Sequence, residues 1–128
     1  MDEEVTGEYF TANGERVRSK SEIIIADHLR RYGVVYKYEK PLELTVHGWR
    51  VTFYPDFTDM NSRTGRIYYL EHFGMMDNED YYNAVLRKLD AFEMNQLLIG
   101  RDVLLLHESS SAPLNTRVLD CYIQEYLV

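Results

Sequence analysis

Apolar residues recur at helical spacing in the segment 19–32, where Ile25, Ala26 and Leu29 share one face. Gly33 follows this segment and is suited to end a helix, because glycine adopts positive φ readily. The pattern therefore predicts a first helix over residues 19–32.

A second helix is predicted from Asp77 or Asn78 to about Leu98, with Gly100 marking the exit of the chain. The residues expected on its buried side are Tyr82, Val85, Leu86, Leu89 and Phe92. A third helix is predicted to close the chain over residues 116–127.

Runs rich in β-branched and aromatic residues predict strands between these helices. They cover residues 34–38, 42–46, 49–57, 66–73 and 102–107. Asn13-Gly14 predicts a tight hairpin within residues 9–17, because this pair tolerates the positive φ angles of a two-residue turn. Residues 109–113, which are rich in serine, are expected to form a loop.

The predicted order is helix, three or four strands, helix, strand and helix, which is typical of an α/β sandwich with one mixed sheet flanked by helices. A crossover through the second helix would make its two flanking strands parallel. With 128 residues and no long linker, residues 1–128 are expected to form a single domain.

The chain has a formal net charge of -7, which argues against binding nucleic acid through broad electrostatic attraction alone. A carboxylate-rich metal site would account for part of this charge. The local cluster Arg16, Arg18 and Lys20 is a candidate for contacts with a nucleic-acid backbone; the alternative is that these charges only solvate the approach to the first helix.

The sequence has neither a signal-peptide pattern nor an apolar run of membrane-spanning length, which predicts a cytoplasmic protein with no membrane partner. Its single cysteine, Cys121, cannot form an intramolecular disulfide and is expected to be a small core residue. No Cys/His spacing indicates a zinc site.

Two acids are expected at one edge of the sheet. Asp56 follows Pro55 at the predicted end of one strand, and Glu71 follows a largely apolar run at the end of the next. An ionised carboxylate in a buried strand needs a partner, and Mg²⁺ bound jointly by the two acids is one such partner.

Glu22 falls on the apolar face of the first helix. Ser19-Lys20-Ser21-Glu22 fits a capping box, so Glu22 has two interpretations: a helix cap alone, or a residue at the edge of the acidic site that also caps the helix.

At this point the chain resembles a branch of the PD-(D/E)XK phosphodiesterases. The resemblance rests on Arg18-Ser19-Lys20-Ser21-Glu22, Tyr38-Glu39-Lys40-Pro41-Leu42, Tyr54-Pro55-Asp56-Phe57, Leu70-Glu71-His72-Phe73-Gly74, Tyr81 and Lys88. It implies a restriction-endonuclease-like core over about residues 16–107, in the order α-β-β-β-α-β. Outside this core we expect an N-terminal hairpin or extension over 1–17 and a C-terminal helix over 115–128. It also implies a Mg²⁺ site at Asp56 and Glu71, with Mn²⁺ able to substitute and Glu22 as a supporting acid.

The chain departs from the family pattern at Phe73, where the family has a lysine. In some branches this lysine is moved to the following helix, and the resemblance then assigns its role to Lys88, which lies at the border of the apolar face; the alternative is a lysine that faces solvent. Strand alternation sends the His72 side chain away from Glu71, so this side chain is expected to be structural, with a catalytic role as the alternative. The backbone carbonyl of His72 is a candidate for a further metal ligand. Tyr81 either supports the site or packs.

The expected function is metal-dependent hydrolysis of nucleic acid, with DNA as the expected substrate and a helicase-like or other DNA-processing protein as a candidate partner. In this hypothesis Asp56, Glu71, Lys88 and Glu22 are the catalytic residues. The alternatives are a catalytically inactive nuclease-like module that serves binding or assembly, and an α/β interaction domain unrelated to nucleases.

Overall fold

The computed structural model describes residues 8–128, so the first seven residues of the predicted 1–17 extension lie outside it. Its elements are β1 (Tyr9–Phe10), β2 (Arg16–Val17), α1 (Lys20–Arg31), β3 (Val35–Tyr38), β4 (Leu42–Val46), β5 (Trp49–Phe53), β6 (Phe57–Met60), β7 (Ile67–Phe73), α2 (Glu79–Met94), β8 (Val103–His107) and α3 (Thr116–Tyr122), followed by a π-helical turn (Ile123–Leu127).

The central sheet has the strand order β3-β6-β7-β8. β3 pairs with β6 and β6 with β7 in antiparallel fashion, whereas β7 and β8 are parallel and are connected through α2. This confirms the mixed α/β class. The expectation of one sheet was wrong: β4 and β5 form a separate two-stranded hairpin, and β1 and β2 form another.

Two clusters of apolar residues cover the two faces of the central sheet. On one face Leu70 and Leu104 pack with residues of α1, α3 and the π-helical turn, including Ile25 and Leu119. On the other face Val103 packs with α2 and with the hairpin β4–β5. Because side chains alternate along a strand, neighbouring residues of β7 project into different clusters.

The predicted strand over residues 49–57 is two strands. β5 ends at Phe53, which pairs with Leu42 in the hairpin, and β6 starts at Phe57, which pairs with Leu70 in the central sheet. The intervening Pro55 has no backbone N–H to donate to a ladder, so the chain leaves one sheet there and enters the other. Asp56 therefore precedes a strand instead of closing one.

The first helix agrees with the prediction. The Ser19 side chain accepts a hydrogen bond from the backbone N–H of Glu22, and Ile25, Ala26 and Leu29 are buried. Gly33 has a φ of +75° immediately after the helix, a conformation that favours glycine over residues with a side chain.

The second helix is shorter than predicted, and its buried face is rotated about the helix axis relative to the predicted buried face. It ends at Met94, where Asn95 caps it, and not near Leu98. Tyr82 and Leu86 were expected to be buried but are exposed, whereas Ala91 is buried. The remaining predicted contacts are present: Val85 and Phe92 are buried, and Leu89 packs half-buried against the same cluster.

This rotation matters because it moves Lys88 from the border of the apolar face into the buried arc. At 100° per residue, Lys88 lies between Val85 and Ala91 around the helix axis. Its long side chain therefore extends along the packed surface toward the sheet.

The C-terminal segment is helical over residues 116–127, as predicted, but its last turn is a π-helix. Leu119, Ile123 and Leu127, each four residues apart, form its buried stripe. Cys121 lies off this stripe and is exposed, so its assignment as a core residue was wrong.

Candidate functional site

The four strands of the central sheet and the helices α1 and α2 bring polar side chains to one edge of this sheet. β7 and β8 are parallel and end at this edge, and the antiparallel β6 starts there. β3 is antiparallel to β6, so it also ends there at Tyr38. The first turns of α1 and α2 lie at the same edge because each helix runs back along the sheet to the strand that follows it.

Asp56 and Glu71 meet at this edge from adjacent strands. Phe57 pairs with Leu70, so the residue before Phe57 lies beside the residue after Leu70. Asp56 Oδ2 accepts a hydrogen bond of 2.7 Å from the backbone N–H of His72, which fixes the aspartate against the end of β7. The pair predicted from sequence is thus adjacent in the fold.

Lys88 reaches this pair from α2. Its Nζ atom donates a hydrogen bond of 2.7 Å to Oε1 of Glu71. The Glu71 side chain is fully buried, whereas the Lys88 side chain keeps 23% of its surface exposed. The solvent-facing alternative for Lys88 is therefore wrong in this fold.

Both carboxyl groups are held in an environment that favours their neutral forms. Burial and the neighbouring charge of Asp56 raise the pKa of Glu71 to about 8, against the opposing effect of Lys88. Burial also raises the pKa of Asp56, against the opposing effects of Lys88 and of the His72 N–H. A nearby positive charge beyond Lys88 would favour ionisation of both groups.

Glu22 serves as a helix cap and also lies beside Asp56. Its Oε1 atom accepts hydrogen bonds from the backbone N–H of Arg18 at 2.8 Å and from the Tyr38 hydroxyl at 2.8 Å. Burial and the charge of Asp56 raise the pKa of Glu22. Capping of α1 alone, the first of the two interpretations, therefore does not account for the position of Glu22.

Sequence reasoning missed Glu108, which follows β8 at the same edge. Its Oε2 atom accepts a hydrogen bond of 2.5 Å from the Ser21 hydroxyl and also contacts Nε2 of His72. The His72 imidazole thus faces the α1 side of the sheet, opposite to Glu71, as strand alternation predicts. The convergence of parallel strand ends at one sheet edge was a signal that could have identified Glu108.

Two adjoining cavities lie at this edge, and Asp56, His72 and Tyr81 line both. The larger has a volume of about 770 Å³ and extends along the α1 side, past Glu22 and Glu108. The smaller has a volume of about 210 Å³ and contains Glu71 and Lys88. The acids are therefore accessible from a cleft.

Tyr81 is part of the site. Its hydroxyl oxygen accepts a hydrogen bond of 2.8 Å from the backbone N–H of Gly74, which leaves the hydroxyl hydrogen available to another acceptor. Burial raises the pKa of Tyr81, so the group remains a protonated donor at neutral pH.

The three candidate basic residues are divided by the fold. Arg18 and Lys20 line the larger cavity, and Arg18 also forms a 2.7 Å ion pair with Glu39. Arg16 lies in β2 and is not among the residues that line either cavity. Of the three predicted basic residues, Arg18 and Lys20 thus lie at the site.

Asp59 is a second acid that sequence reasoning missed. It is fully buried on β6, and neither of its carboxylate oxygens has a hydrogen-bond partner within residues 8–128. Burial alone raises its pKa well above the usual range for aspartate. It lies on the face of Phe57, between Tyr36 and Tyr68 on the neighbouring strands, and is separate from the cleft.

The donor set at the edge fits a divalent cation. Oε2 of Glu71 is buried and has no hydrogen-bond partner among the described residues, and the Asp56 carboxylate is adjacent. Within residues 8–128 no group of three or more His, Cys, Asp or Glu side chains is arranged to hold a metal. Mg²⁺ is often bound by one or two carboxylates with water completing its shell, so two acids are sufficient.

The fold and the site define a mixed α/β protein with a cleft that contains buried carboxylates and a lysine. Uncharacterized protein MJ1519 of Methanocaldococcus jannaschii is 30% identical to the chain over 123 residues, which cover 86% of the chain and 10% of that protein. The chain therefore spans about a tenth of the length of this relative. No protein-family profile and no solved structure matches the chain. No helix within residues 8–128 is long and apolar enough to cross a membrane.

Proposed function

We propose that the chain is a metal-dependent nuclease with a restriction-endonuclease-like fold of the PD-(D/E)XK type, and that it hydrolyses phosphodiester bonds of nucleic acid, with DNA as the expected substrate. One observation carries this proposal: Lys88 reaches from α2 to Glu71, beside Asp56. A lysine next to paired acids is the arrangement implied by the sequence resemblance, although this lysine comes from the helix and not from the strand.

In this proposal Asp56 and Glu71 hold Mg²⁺, together with the backbone carbonyl of His72, and Mn²⁺ can replace it. When bound, the ion lowers the pKa of a coordinated water and stabilises negative charge on the phosphate. Oε2 of Glu71 is buried and has no hydrogen-bond partner within residues 8–128, which supports this role because a polar atom left unpaired in the interior is costly.

The remaining side chains act on the substrate and on the reacting water. The Lys88 ammonium orients the water and offsets the negative charge that develops on the phosphate. Glu22 lines the larger cavity together with Asp56, and in this proposal its carboxylate supports the site by accepting hydrogen bonds from water in the cleft. Tyr81 has a free hydroxyl hydrogen to donate to a phosphate oxygen.

The test combines magnesium binding, measured by calorimetry, with cleavage of labelled DNA in Mg²⁺ or Mn²⁺. The parent is compared with Asp56→Asn and Glu71→Gln, which remove the charge and retain the shape of the side chain. Asp90→Asn is a matched control, because Asp90 is exposed on α2 outside the cleft. The proposal is supported if Asp56→Asn and Glu71→Gln lose metal binding and cleavage while Asp90→Asn retains both. Metal-independent cleavage by the parent, or unchanged metal binding by the first two variants, contradicts it.

A catalytically inactive nuclease-like module, serving binding or assembly in a larger DNA-processing complex with a helicase-like partner, is the second candidate. The net charge of -7 favours it, and so does Phe73, which stands where the resemblance implies a lysine. In this case a folded parent neither binds Mg²⁺ nor cleaves DNA, while Lys88→Met still lowers its stability.

A further inference from the structure

The carboxylates lie inside the cleft and not on an open surface. Glu71 is fully buried and Glu22 is 5% exposed. A scissile phosphate must therefore enter the cleft to approach them, which a flexible single strand does more readily than a stiff duplex.

The larger cavity is lined by residues of both charges. Its basic lining residues, Arg18 and Lys20, lie just before and at the start of α1. Its acidic lining residues include Asp77, in the segment before α2, and Glu108, which follows β8 and accepts a hydrogen bond from Ser21 of α1. Hydrogen bonds from Ser110 lower the pKa of Asp77, so this carboxylate is ionised at neutral pH.

The two loops that carry Asp77 and Glu108 are joined by hydrogen bonds. Asp77 accepts hydrogen bonds from the backbone N–H and the hydroxyl of Ser110. The backbone N–H of Met76 donates to the carbonyl of Glu108 at 3.0 Å, and the N–H of Glu108 donates to the carbonyl of Phe73 at 2.8 Å. These loops are therefore connected, and displacing either would break several hydrogen bonds.

We propose that the cleft receives a single nucleic-acid strand, or an unpaired end of a duplex, beside Arg18 and Lys20. This inference rests on the nuclease function proposed above and specifies its substrate. One strand places its phosphates beside the two basic residues and delivers one phosphate to Asp56 and Glu71.

A continuous duplex meets this cleft unfavourably for two reasons. Its second strand would bring further phosphates to a cavity whose lining also carries Asp77 and Glu108, and like charges repel. A duplex also carries about one negative charge per 1.7 Å of its axis and is held by many cationic contacts. A chain with a net charge of -7 and a cleft lined by Arg18, Lys20 and Lys88 does not supply them.

The first experiment compares cleavage of one labelled oligonucleotide in three forms: single-stranded, annealed to a blunt duplex, and annealed with a single-stranded overhang. With Mg²⁺ or Mn²⁺ we expect cleavage of the single strand and of the overhang, and at least about tenfold slower cleavage of the blunt duplex. Cleavage of the blunt duplex at the rate of the single strand would overturn this inference and leave the nuclease function intact.

Absence of cleavage in all three forms contradicts the nuclease function, and binding then decides the inference. Fluorescence anisotropy of the same oligonucleotides is measured with Ca²⁺, which prefers the same oxygen ligands as Mg²⁺. We expect tighter binding of the single strand than of the duplex, and about three- to tenfold weaker binding of the single strand by Lys20→Glu. Arg117→Glu makes the same change in charge on α3, outside the cleft, and should have a smaller effect. Equal affinity for both forms, or equal effects of the two variants, would overturn the inference.

Discussion

The Nζ atom of Lys88 lies 2.7 Å from Oε1 of Glu71, although the first residue belongs to a helix and the second to a largely buried strand. This ion pair joins α2 to the central sheet at the edge where Asp56 also lies. The lysine compensates only part of the cost of burying the acid, because the pKa of Glu71 remains raised to about 8. A further positive charge beside Glu71 would favour its ionised form.

Lys88→Met tests the contribution of this ammonium, because methionine retains most of the length of the side chain and removes the charge. We expect a loss of about 1–3 kcal/mol in the free energy of unfolding, since Glu71 loses its hydrogen-bonded counterion. In the nuclease proposal the cleavage rate falls by about 10²- to 10³-fold as well. Urea unfolding and single-turnover cleavage measure the two effects.

The control for this variant is Arg87→Met, a change of the same kind at the neighbouring exposed position of α2. It should change the free energy of unfolding by less than about 0.5 kcal/mol. Equal effects of the two substitutions would show that the ion pair with Glu71 contributes nothing specific to the fold.

Asp59→Asn should reduce the pH dependence of stability. In the unfolded chain Asp59 releases its proton near its ordinary pKa, whereas burial keeps the proton on the folded chain to higher pH. The free energy of unfolding of the parent therefore falls as the pH rises between these two pKa values, by at most about 1.4 kcal/mol per pH unit from this group. Asparagine has no such proton, so we expect the variant to gain stability relative to the parent as the pH increases.

Urea unfolding between about pH 4 and pH 8 measures this difference, because the lower limit lies near the ordinary pKa of aspartate. Asp90→Asn is the matched control, since Asp90 is exposed and its replacement should leave the slope unchanged. Parallel stability curves for the parent and Asp59→Asn would contradict a raised pKa for Asp59.

The sequence predicted correctly that Asp56 and Glu71 lie together, but the fold brings them together in a different way from the one expected. Asp56 and Glu71 were expected at the ends of two strands. They meet because β6, which follows Asp56, starts at the sheet edge where β7, which carries Glu71, ends. Local pattern located both acids correctly relative to Pro55 and to the apolar run before Glu71. It did not show that the chain changes sheets at Pro55, because Phe53 and Phe57 have similar strand propensity and only tertiary pairing separates them.

Glu108 and Asp59 were missed for different physical reasons. Glu108 acquires its role from contacts with Ser21 and His72, which are 87 and 36 residues away in the chain, so no local pattern marks it. Asp59 had a local signal, since it lies two residues after Phe57 and therefore on the same face of its strand. The general rarity of a fully buried, unpaired carboxylate argued against that placement.

Glu108→Gln should destabilise the fold more than Ser21→Ala. The glutamate accepts hydrogen bonds from both Ser21 and His72, and a charged acceptor makes the stronger bonds. We expect a loss of about 1–3 kcal/mol for Glu108→Gln and about 0.5–1.5 kcal/mol for Ser21→Ala, which removes one of the two bonds. Urea unfolding followed by circular dichroism measures both, and equal losses would mean that the contact with His72 contributes no stability.

Asn95→Ala should weaken the attachment of the hairpin β4–β5 to α2. The Asn95 side chain accepts a hydrogen bond of 3.0 Å from the Thr45 N–H and donates one of 2.9 Å to the Thr45 carbonyl, as a neighbouring strand would. Loss of both bonds is expected to cost about 1–2 kcal/mol in the free energy of unfolding and to increase hydrogen exchange at Thr45. Asn95→Asp retains the acceptor and loses the donor, so it should protect the Thr45 amide better than alanine does. If the Thr45 amide exchanges as slowly in Asn95→Ala and Asn95→Asp as in the parent, the hairpin is held by its apolar contacts with Phe92 and not by Asn95.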